Sequence, residues 1–168
     1  QTVCHQEAIL PNEPNPAWAV YDNDIFGISL TYPPDFYAET WDVSSNYPNW
    51  LLSTTLQHKD YQNLQMPQVP NVSLNVWANP DEQTVNEWVS QHSTLAPFGT
   101  EVDLPFPPFF VLPNVQPQPI LINKIAGLCF GTETMGLRGY HLLFPHQEWI
   151  VELSYGAFGS RDLACLLY

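Results

Sequence analysis

The fold is decided by residues 21–41, YDNDIFGISLTYPPDFYAETW. Every second residue from Phe26 to Tyr32 is large and apolar, and the residues between them are small or polar. This period of two is typical of a strand with one buried face. Pro33-Pro34 ends the strand, and a second strand is predicted to begin at Phe36. The apolar face of the first strand needs a cover.

The same alternation recurs further along the chain. The strand that begins at Phe36 is predicted to span 36–43, and additional strands are predicted at 50–57, 72–76, 120–130, 137–144 and 149–155. Short turns separate the last three of these, which indicates an antiparallel meander. In the final strand Trp149 and Val151 face one way, whereas Glu152 faces the other.

A helix is predicted directly after the strand at 72–76. Asn79 is a suitable N-cap, Pro80 suits the first helical position, and two acidic residues follow where the helix dipole favours anions. Its apolar stripe comprises Val85, Trp88, Val89 and His92. This helix is expected to cover a face of the sheet. Ser160 could cap a short closing helix near the end of the chain.

Composition limits the classes of partner. The chain has 168 residues, 45% of them hydrophobic, which suits a single domain. Seventeen acidic residues against four basic ones give a net charge of -13, so the surface repels nucleic acid and anionic lipid. The carboxylates could keep an exported protein in solution, collect a divalent cation, or meet a basic partner. No apolar run reaches the eighteen residues that a membrane span needs.

The chain begins Gln1-Thr2-Val3 without an initiator methionine, as signal-peptide removal would leave it. We therefore expect an exported protein in an extracellular, periplasmic or thylakoid-lumen-like compartment. Three cysteines form no metal or redox motif. A closing helix laid on a central strand would join Cys129 to Cys165 in a disulfide, leaving Cys4 as a free or intermolecular thiol.

Two proline-rich segments flank or interrupt the domain. Residues 1–17 form an extended N-terminal arm that carries Ile9 and Leu10, and residues 18–168 form the single domain. The arm either drapes over the surface or pairs with a sheet edge of a neighbouring subunit. Residues 97–119 contain seven prolines and are predicted to be a loop. Its aromatic residues either bind a partner or pin the loop to the core: Phe106, Phe109 and Phe110.

Candidate chemistry is sparse. His141, His146 and Glu148 could meet across the hairpin at Pro145 and offer nitrogen and carboxylate ligands to zinc or copper. Histidines in a strand and a turn are also common as plain surface residues. The sequence has no nucleophile elbow, phosphate loop or zinc helix. We therefore predict no enzyme activity and no cofactor beyond a divalent cation.

The order of these segments resembles the PsbP-like family, which is named for an extrinsic subunit of photosystem II. The resemblance rests on six short sequence segments within residues 20–167: FGISLTYP, VSLNV, NPDEQTVNEWV, IAGL, GYHLLF and WIVELSY. The arm and the proline-rich loop lie outside the shared pattern. The resemblance implies an α+β fold with an antiparallel sheet packed between helices, an α/β/α sandwich, and no enzyme activity.

Three functions follow in order of preference. The first is an exported, non-enzymatic module that binds a protein partner or assembles with it. The second is a structural subunit of an extracellular filament or surface layer that assembles through its arm. The third, and least favoured, is a metal-dependent enzyme.

Overall fold

The alternating segments form strands in the computed structural model. It describes residues 7–8, 17–43, 49–63, 71–95, 110–112, 117–122, 124–134 and 137–158. The strands are β1 (Glu7–Ala8), β2 (Ala19–Asn23), β3 (Ile28–Tyr32), β4 (Phe36–Trp41), β5 (Trp50–His58), β6 (Asn71–Ala78), β7 (Ser93–Leu95), β8 (Phe110–Leu112), β9 (Gln118–Ile122), β10 (Ile125–Thr134), β11 (Leu137–His146) and β12 (Trp149–Phe158). One α-helix, α1 (Val85–Gln91), and a 3-10 turn at Lys59–Tyr61 complete the described elements.

Eight strands form one sheet in the order β1-β9-β10-β11-β12-β6-β5-β4. All its neighbours are antiparallel except β1 and β9, which run parallel. The predicted antiparallel sheet is thus confirmed. The last described strand, β12, lies in the middle, between β11 and β6. Two smaller pairs stand apart from this sheet: β2 with β3, antiparallel, and β7 with β8, parallel.

The predicted α/β/α sandwich is wrong. Strands dominate the described residues, and α1, the one α-helix among them, has only seven residues. The predicted closing helix from Ser160 lies outside the described ranges. Where the resemblance implied helical layers on both faces, the structure has a short helix on one and a β-hairpin on the other.

The helix is shorter than predicted because the chain turns first. The Asn79 side chain closes a turn: its Oδ1 accepts from the Gln83 amide at 3.0 Å, and its Nδ2 donates to the Gln83 carbonyl at 2.9 Å. Glu82 has a positive φ of 49°, which a helix cannot contain. Thr84 is the true N-cap, in a reciprocal capping box with Glu87.

Helix α1 covers one face of the large sheet, here called the helix face. Val85, Trp88 and Val89, three residues of the predicted stripe, are buried there. They pack in one cluster with side chains from four strands: Trp77, Leu128, Phe130, Leu143 and Ile150. The fourth predicted stripe residue, His92, stacks on Trp88 with ring centroids 4.2 Å apart.

The β2–β3 hairpin covers the opposite face, here called the hairpin face. Phe26, in the turn of the hairpin, packs with Leu52 and Val76 and meets Trp149 edge-on at 5.5 Å. Val76 and Trp77 are neighbours in β6 and point to opposite faces, which places hairpin and helix on opposite sides. Of the two strands predicted in residues 21–41, β3 therefore pairs with β2 to form a cover, whereas β4 joins the large sheet.

Candidate functional site

The structure does not bring the predicted metal ligands together. His141 and His146 are five residues apart on β11, so their side chains point to opposite faces. His146 Nε2 lies 3.0 Å from the Phe26 carbonyl oxygen, whereas Glu148 is exposed in the turn. Among the described residues no group of three or more His, Cys, Asp or Glu side chains could hold a metal ion. Binding of a divalent cation stays a prediction.

The predicted partner-binding residues fall almost entirely outside the described ranges. This applies to Ile9, Leu10, Phe106 and Phe109, while Phe110 begins β8 without a described side chain. The neighbouring part of the arm is placed, however. Glu7 pairs with Leu121 and Ala8 with Ile122, so the arm adds a short strand to the sheet of its own chain.

Cys129 is the single cysteine among the described residues, so no disulfide joins two of them. It is buried on β10, facing the hairpin side of the sheet, beside Ile120 and Leu142. The other two cysteines, Cys4 and Cys165, lie outside the described ranges. The predicted pairing with Cys165 stays a prediction.

A row of polar side chains crosses the helix face of the sheet, next to the apolar cluster under α1. It is built on five adjacent strands and comprises Trp50, Asn75, Trp77, Thr132, His141 and Glu152. Strand register places Glu152 opposite Asn75 on one side and opposite Leu143 on the other. Leu143 and His141 are two residues apart and share a face, so the imidazole lies diagonally beside the carboxylate.

Glu152 is the centre of this row and is only 2% exposed. Its Oε2 accepts hydrogen bonds from Trp77 Nε1 at 2.8 Å and from Asn75 Nδ2 at 3.2 Å. Its Oε1 lies 2.6 Å from His141 Nδ1. Asn75 is held in turn by Trp50 Nε1, which donates to Asn75 Oδ1 at 3.2 Å. Both carboxylate oxygens are therefore occupied, as a buried acidic group requires.

His141 connects this carboxylate to a hydroxyl group. With Nδ1 donating to Glu152, Nε2 is the acceptor, and Thr132 Oγ1 lies 2.8 Å from it. Phe130 stacks on the imidazole with ring centroids 5.1 Å apart and an interplanar angle of 20°. Thr132, His141 and Glu152 thus form a hydroxyl–imidazole–carboxylate row, here called the Thr132 row.

Gly139 leaves room at the hydroxyl end of the Thr132 row. It is the residue opposite Thr132 in the register of β10 and β11. A Cβ at this position would lie 2.6 Å from Thr132 Oγ1 and 2.9 Å from His141 Nε2. Only glycine therefore permits the contact between hydroxyl and imidazole without displacing either group. Both Gly139 and Thr132 are half-buried, which leaves part of their surface accessible.

Sequence reasoning found His141 but missed Thr132, Glu152 and Asn75. The sequence signal for Glu152 was its position between Val151 and Leu153 in a predicted strand. In the structure this strand has a neighbour on each side, and a buried polar side chain there needs hydrogen-bond partners in the sheet. The pairing that selects those partners depends on the order of strands, and β12 pairs with β6, which precedes it by some seventy residues.

A comparison with models of protein families gave no match, and a comparison with curated proteins gave none either. The fold and the site alone define this chain, as a β-sheet protein with a buried polar row. In the described part of the chain, no helix is long and apolar enough to cross a bilayer.

Proposed function

We propose that this protein is an exported binding or assembly module that acts by strand pairing at the edges of its large sheet. The observation that carries the proposal is the pairing of β1 with β9. A segment of the arm is used as an added strand, and such a segment can pair through its backbone with any suitable edge. Membership of the PsbP-like family stays a prediction, and no part of the proposal rests on it.

The pairing of β1 with β9 is small enough to exchange. Only two residues of β1 are paired. Each backbone hydrogen bond contributes a net stabilisation of only about 0.5–1.5 kcal/mol. Exposed apolar side chains stand close by, with Leu121 on β9 at 41% and Ile125 on β10 at 51% exposure. The arm of a second copy, or an extended segment of a partner, could take the place of β1.

The other end of the sheet is suited to a more selective contact. β4 is its terminal strand, and among the described residues no strand pairs with its outer edge. Exposed Glu39 lies on this edge, where a charge discourages indiscriminate pairing. A net charge of -13 makes copies of the chain repel each other, which favours a basic protein partner over self-assembly at low ionic strength.

The mass of the native particle tests the role of the arm. We compare the full chain with two truncations under reducing conditions, one lacking residues 1–5 and one lacking 1–17. Both lack Cys4, but only the second lacks β1. We expect light scattering at rising salt to show association that survives the shorter truncation and disappears in the longer one. Equal masses for both truncations at every protein concentration would refute exchange of the arm.

Export forms a separate part of the proposal. It is supported by the acidic composition, which keeps an exported protein in solution. It also predicts the disulfide at Cys129, because disulfides persist in oxidising compartments. Alkylation of thiols in intact cells, followed by mass spectrometry, should find Cys129 oxidised. A freely alkylated Cys129 would place the protein in a reducing compartment and contradict export.

A further inference from the structure

We infer that the Thr132 row is an acyl-transfer site, in which Thr132 is a nucleophile and His141 its general base, acting on esters of small acyl groups. The inference goes beyond strand pairing and departs from the sequence-based prediction of no enzyme activity. It stands on the arrangement of three side chains from three adjacent strands. A hydroxyl, an imidazole and a carboxylate in this order are the parts that nucleophilic acyl transfer uses.

The two ring nitrogens of His141 have the hydrogen-bond partners that general-base catalysis requires. The nitrogen that faces the carboxylate is Nδ1, at 2.6 Å, and Nε2 faces the Thr132 hydroxyl at 2.8 Å. In the tautomer with the proton on Nδ1, Nε2 accepts the hydroxyl proton. Both distances are within the range expected for a working nucleophile and base.

The other described histidines lack this arrangement. His58 lies between two carboxylates, Asp35 at 3.4 Å and Asp60 at 3.2 Å. The rings of His92 and His146 lie within hydrogen-bond distance of backbone carbonyl oxygens. Among the described histidines, only His141 lies between a hydroxyl and a carboxylate.

Glu152 is a positioning residue in this site. Trp77 and Asn75 hold its Oε2, so the carboxylate cannot rotate away and Oε1 remains directed at Nδ1. The carboxylate fixes the tautomer of His141 and stabilises the imidazolium that forms during proton transfer. Phe130 holds the plane of the ring by stacking. A base that is fixed on three sides is what a pre-organised site needs.

Gly139 places no side chain over the Thr132 hydroxyl or the His141 imidazole. A Cβ at residue 139 would lie 2.6 Å from Thr132 Oγ1 and 2.9 Å from His141 Nε2, and would force the nucleophile and the base apart. Thr132 and Gly139 are both half-buried, so part of the surface beside the hydroxyl faces solvent. The substrate class is an ester with a small acyl group, because such a group needs the least room there.

The reaction balances without an added oxidant or metal. Thr132 Oγ forms a bond to the ester carbonyl carbon while its proton passes to His141 Nε2. The carbon–oxygen bond to the leaving alcohol then breaks, and the alcohol takes that proton from Nε2. Water attacks the acyl-Thr132 ester, gives a proton to Nε2, and releases the carboxylic acid as the proton returns to Thr132 Oγ.

A fluorophosphonate probe and 4-nitrophenyl acetate test the site on the full chain. We expect peptide mapping to find the probe on Thr132. Thr132→Val keeps the shape of the side chain but should abolish labelling and reduce ester hydrolysis to the rate of buffer, whereas Thr132→Ser should keep both. The matched control is Thr40→Val, because Thr40 Oγ1 lies 2.9 Å from Thr54 Oγ1 instead of from an imidazole. It should react like the unmodified chain.

Glu152→Gln separates positioning from folding. We expect kcat for ester hydrolysis to fall about 100-fold or more with KM unchanged, because the carboxylate acts only through the base. Nitrogen NMR of His141 should show Nδ1 protonated in the unmodified chain and a mixture of tautomers in the variant. Circular dichroism of each variant establishes that it is folded. If the folded full chain neither takes the probe at Thr132 nor hydrolyses the ester faster than Thr132→Val, the inference is wrong.

Discussion

At the scale of single residues, two glycines on β10 have opposite surroundings. A Cβ at Gly127 would lie 2.3 Å from the Leu143 carbonyl oxygen and 2.7 Å from Phe144 Cδ1, whereas at Gly131 the nearest atom is 3.8 Å away. We expect Gly127→Ala to lower the free energy of unfolding by about 2–3 kcal/mol, because a backbone atom cannot move aside. Gly131→Ala, the matched control, should stay within about 0.5 kcal/mol. Urea unfolding measures both, and equal midpoints would show that the β10–β11 contact is looser than described.

The residues of the Thr132 row show why single positions were harder to predict than strands. His141 is visible in the sequence as a histidine in a strand, but nothing adjacent to it in sequence indicates Glu152 or Thr132. The three meet because β10, β11 and β12 are neighbours in one register. A polar residue at an alternating position in a strand is expected to face water, and Glu152 instead faces a covered surface.

At the scale of elements, α1 depends on its first turn. The Thr84 hydroxyl and backbone amide both donate to the Glu87 carboxylate, at 2.7 Å and 2.9 Å, and they lower the pKa of Glu87. Because this pKa is lower in the folded chain, the bonds stabilise the helix above the usual glutamate pKa. That contribution is lost as the pH falls through the lowered value.

We expect Thr84→Ala to raise the pKa of Glu87 towards its ordinary value, and the stability difference between variant and parent to shrink with falling pH. Carbon NMR of the Glu87 carboxyl measures the titration. Ser90→Ala is the control, since the Ser90 hydroxyl donates to the Glu87 carbonyl oxygen and does not reach the carboxylate. A lower pKa of Glu87 in Thr84→Ala would contradict the capping arrangement.

Phe26 packs the β2–β3 hairpin against the large sheet. Phe26 is 9% exposed and its neighbour Ile25, in the same turn, is 82% exposed. Phe26→Ala should destabilise the fold by about 3 kcal/mol, because loss of the ring leaves a cavity beside Trp149. Ile25→Ala should change the free energy of unfolding by less than about 0.5 kcal/mol. Thermal unfolding followed by tryptophan fluorescence compares the two, and similar losses would mean that the hairpin does not seal this face.

The hairpin also contacts the large sheet through the hydroxyl group of Tyr21. Burial opposes ionisation of Tyr21, but the Thr54 hydroxyl and the Asn23 amide donate to its oxygen, at 3.0 Å and 3.3 Å, and its pKa is lowered overall. Tyr21 thus makes a polar contact to β5 beside the apolar contact of Phe26.

Elements were predicted well where local pattern decides them and poorly where it does not. Alternation indicated most of the strands from Phe26 to Tyr155, because burial on one face leaves a period of two in the sequence. The single strand predicted at 120–130 was wrong, because the chain turns there and forms two antiparallel strands, β9 and β10. The helix start was wrong because Asn79 and Pro80 resemble a cap, whereas the Thr84–Glu87 box, three residues apart, is the stronger signal. The two helical layers of the α/β/α sandwich were expected from the family resemblance and not from hydrophobic periodicity. The periodicity of the strands shows only that a face is buried, so it does not require that a helix covers it.

At the scale of the whole molecule, the net charge of -13 works against the folded state. Raising the salt concentration from about 10 mM to about 300 mM should screen this repulsion and raise the midpoint of thermal unfolding by about 2–4 °C. The same comparison near pH 4.3, the isoelectric point, should show little change, because the net charge is then close to zero. A midpoint that falls with salt near pH 7 would mean that attractive ion pairs outweigh the repulsion.

Because β12 is central, the large sheet cannot form completely until β12 is in place. β6 pairs with β5 on one side and with residues 149–156 of β12 on the other, and β11 also pairs with β12. A chain in which residues 149–156 are still unpaired therefore holds two half-sheets with open edges, β4 to β6 and β9 to β11. Because these contacts are distant in sequence, we expect slow folding that finishes only after residues 149–156 are available. The chain is most exposed to aggregation just before these residues pair.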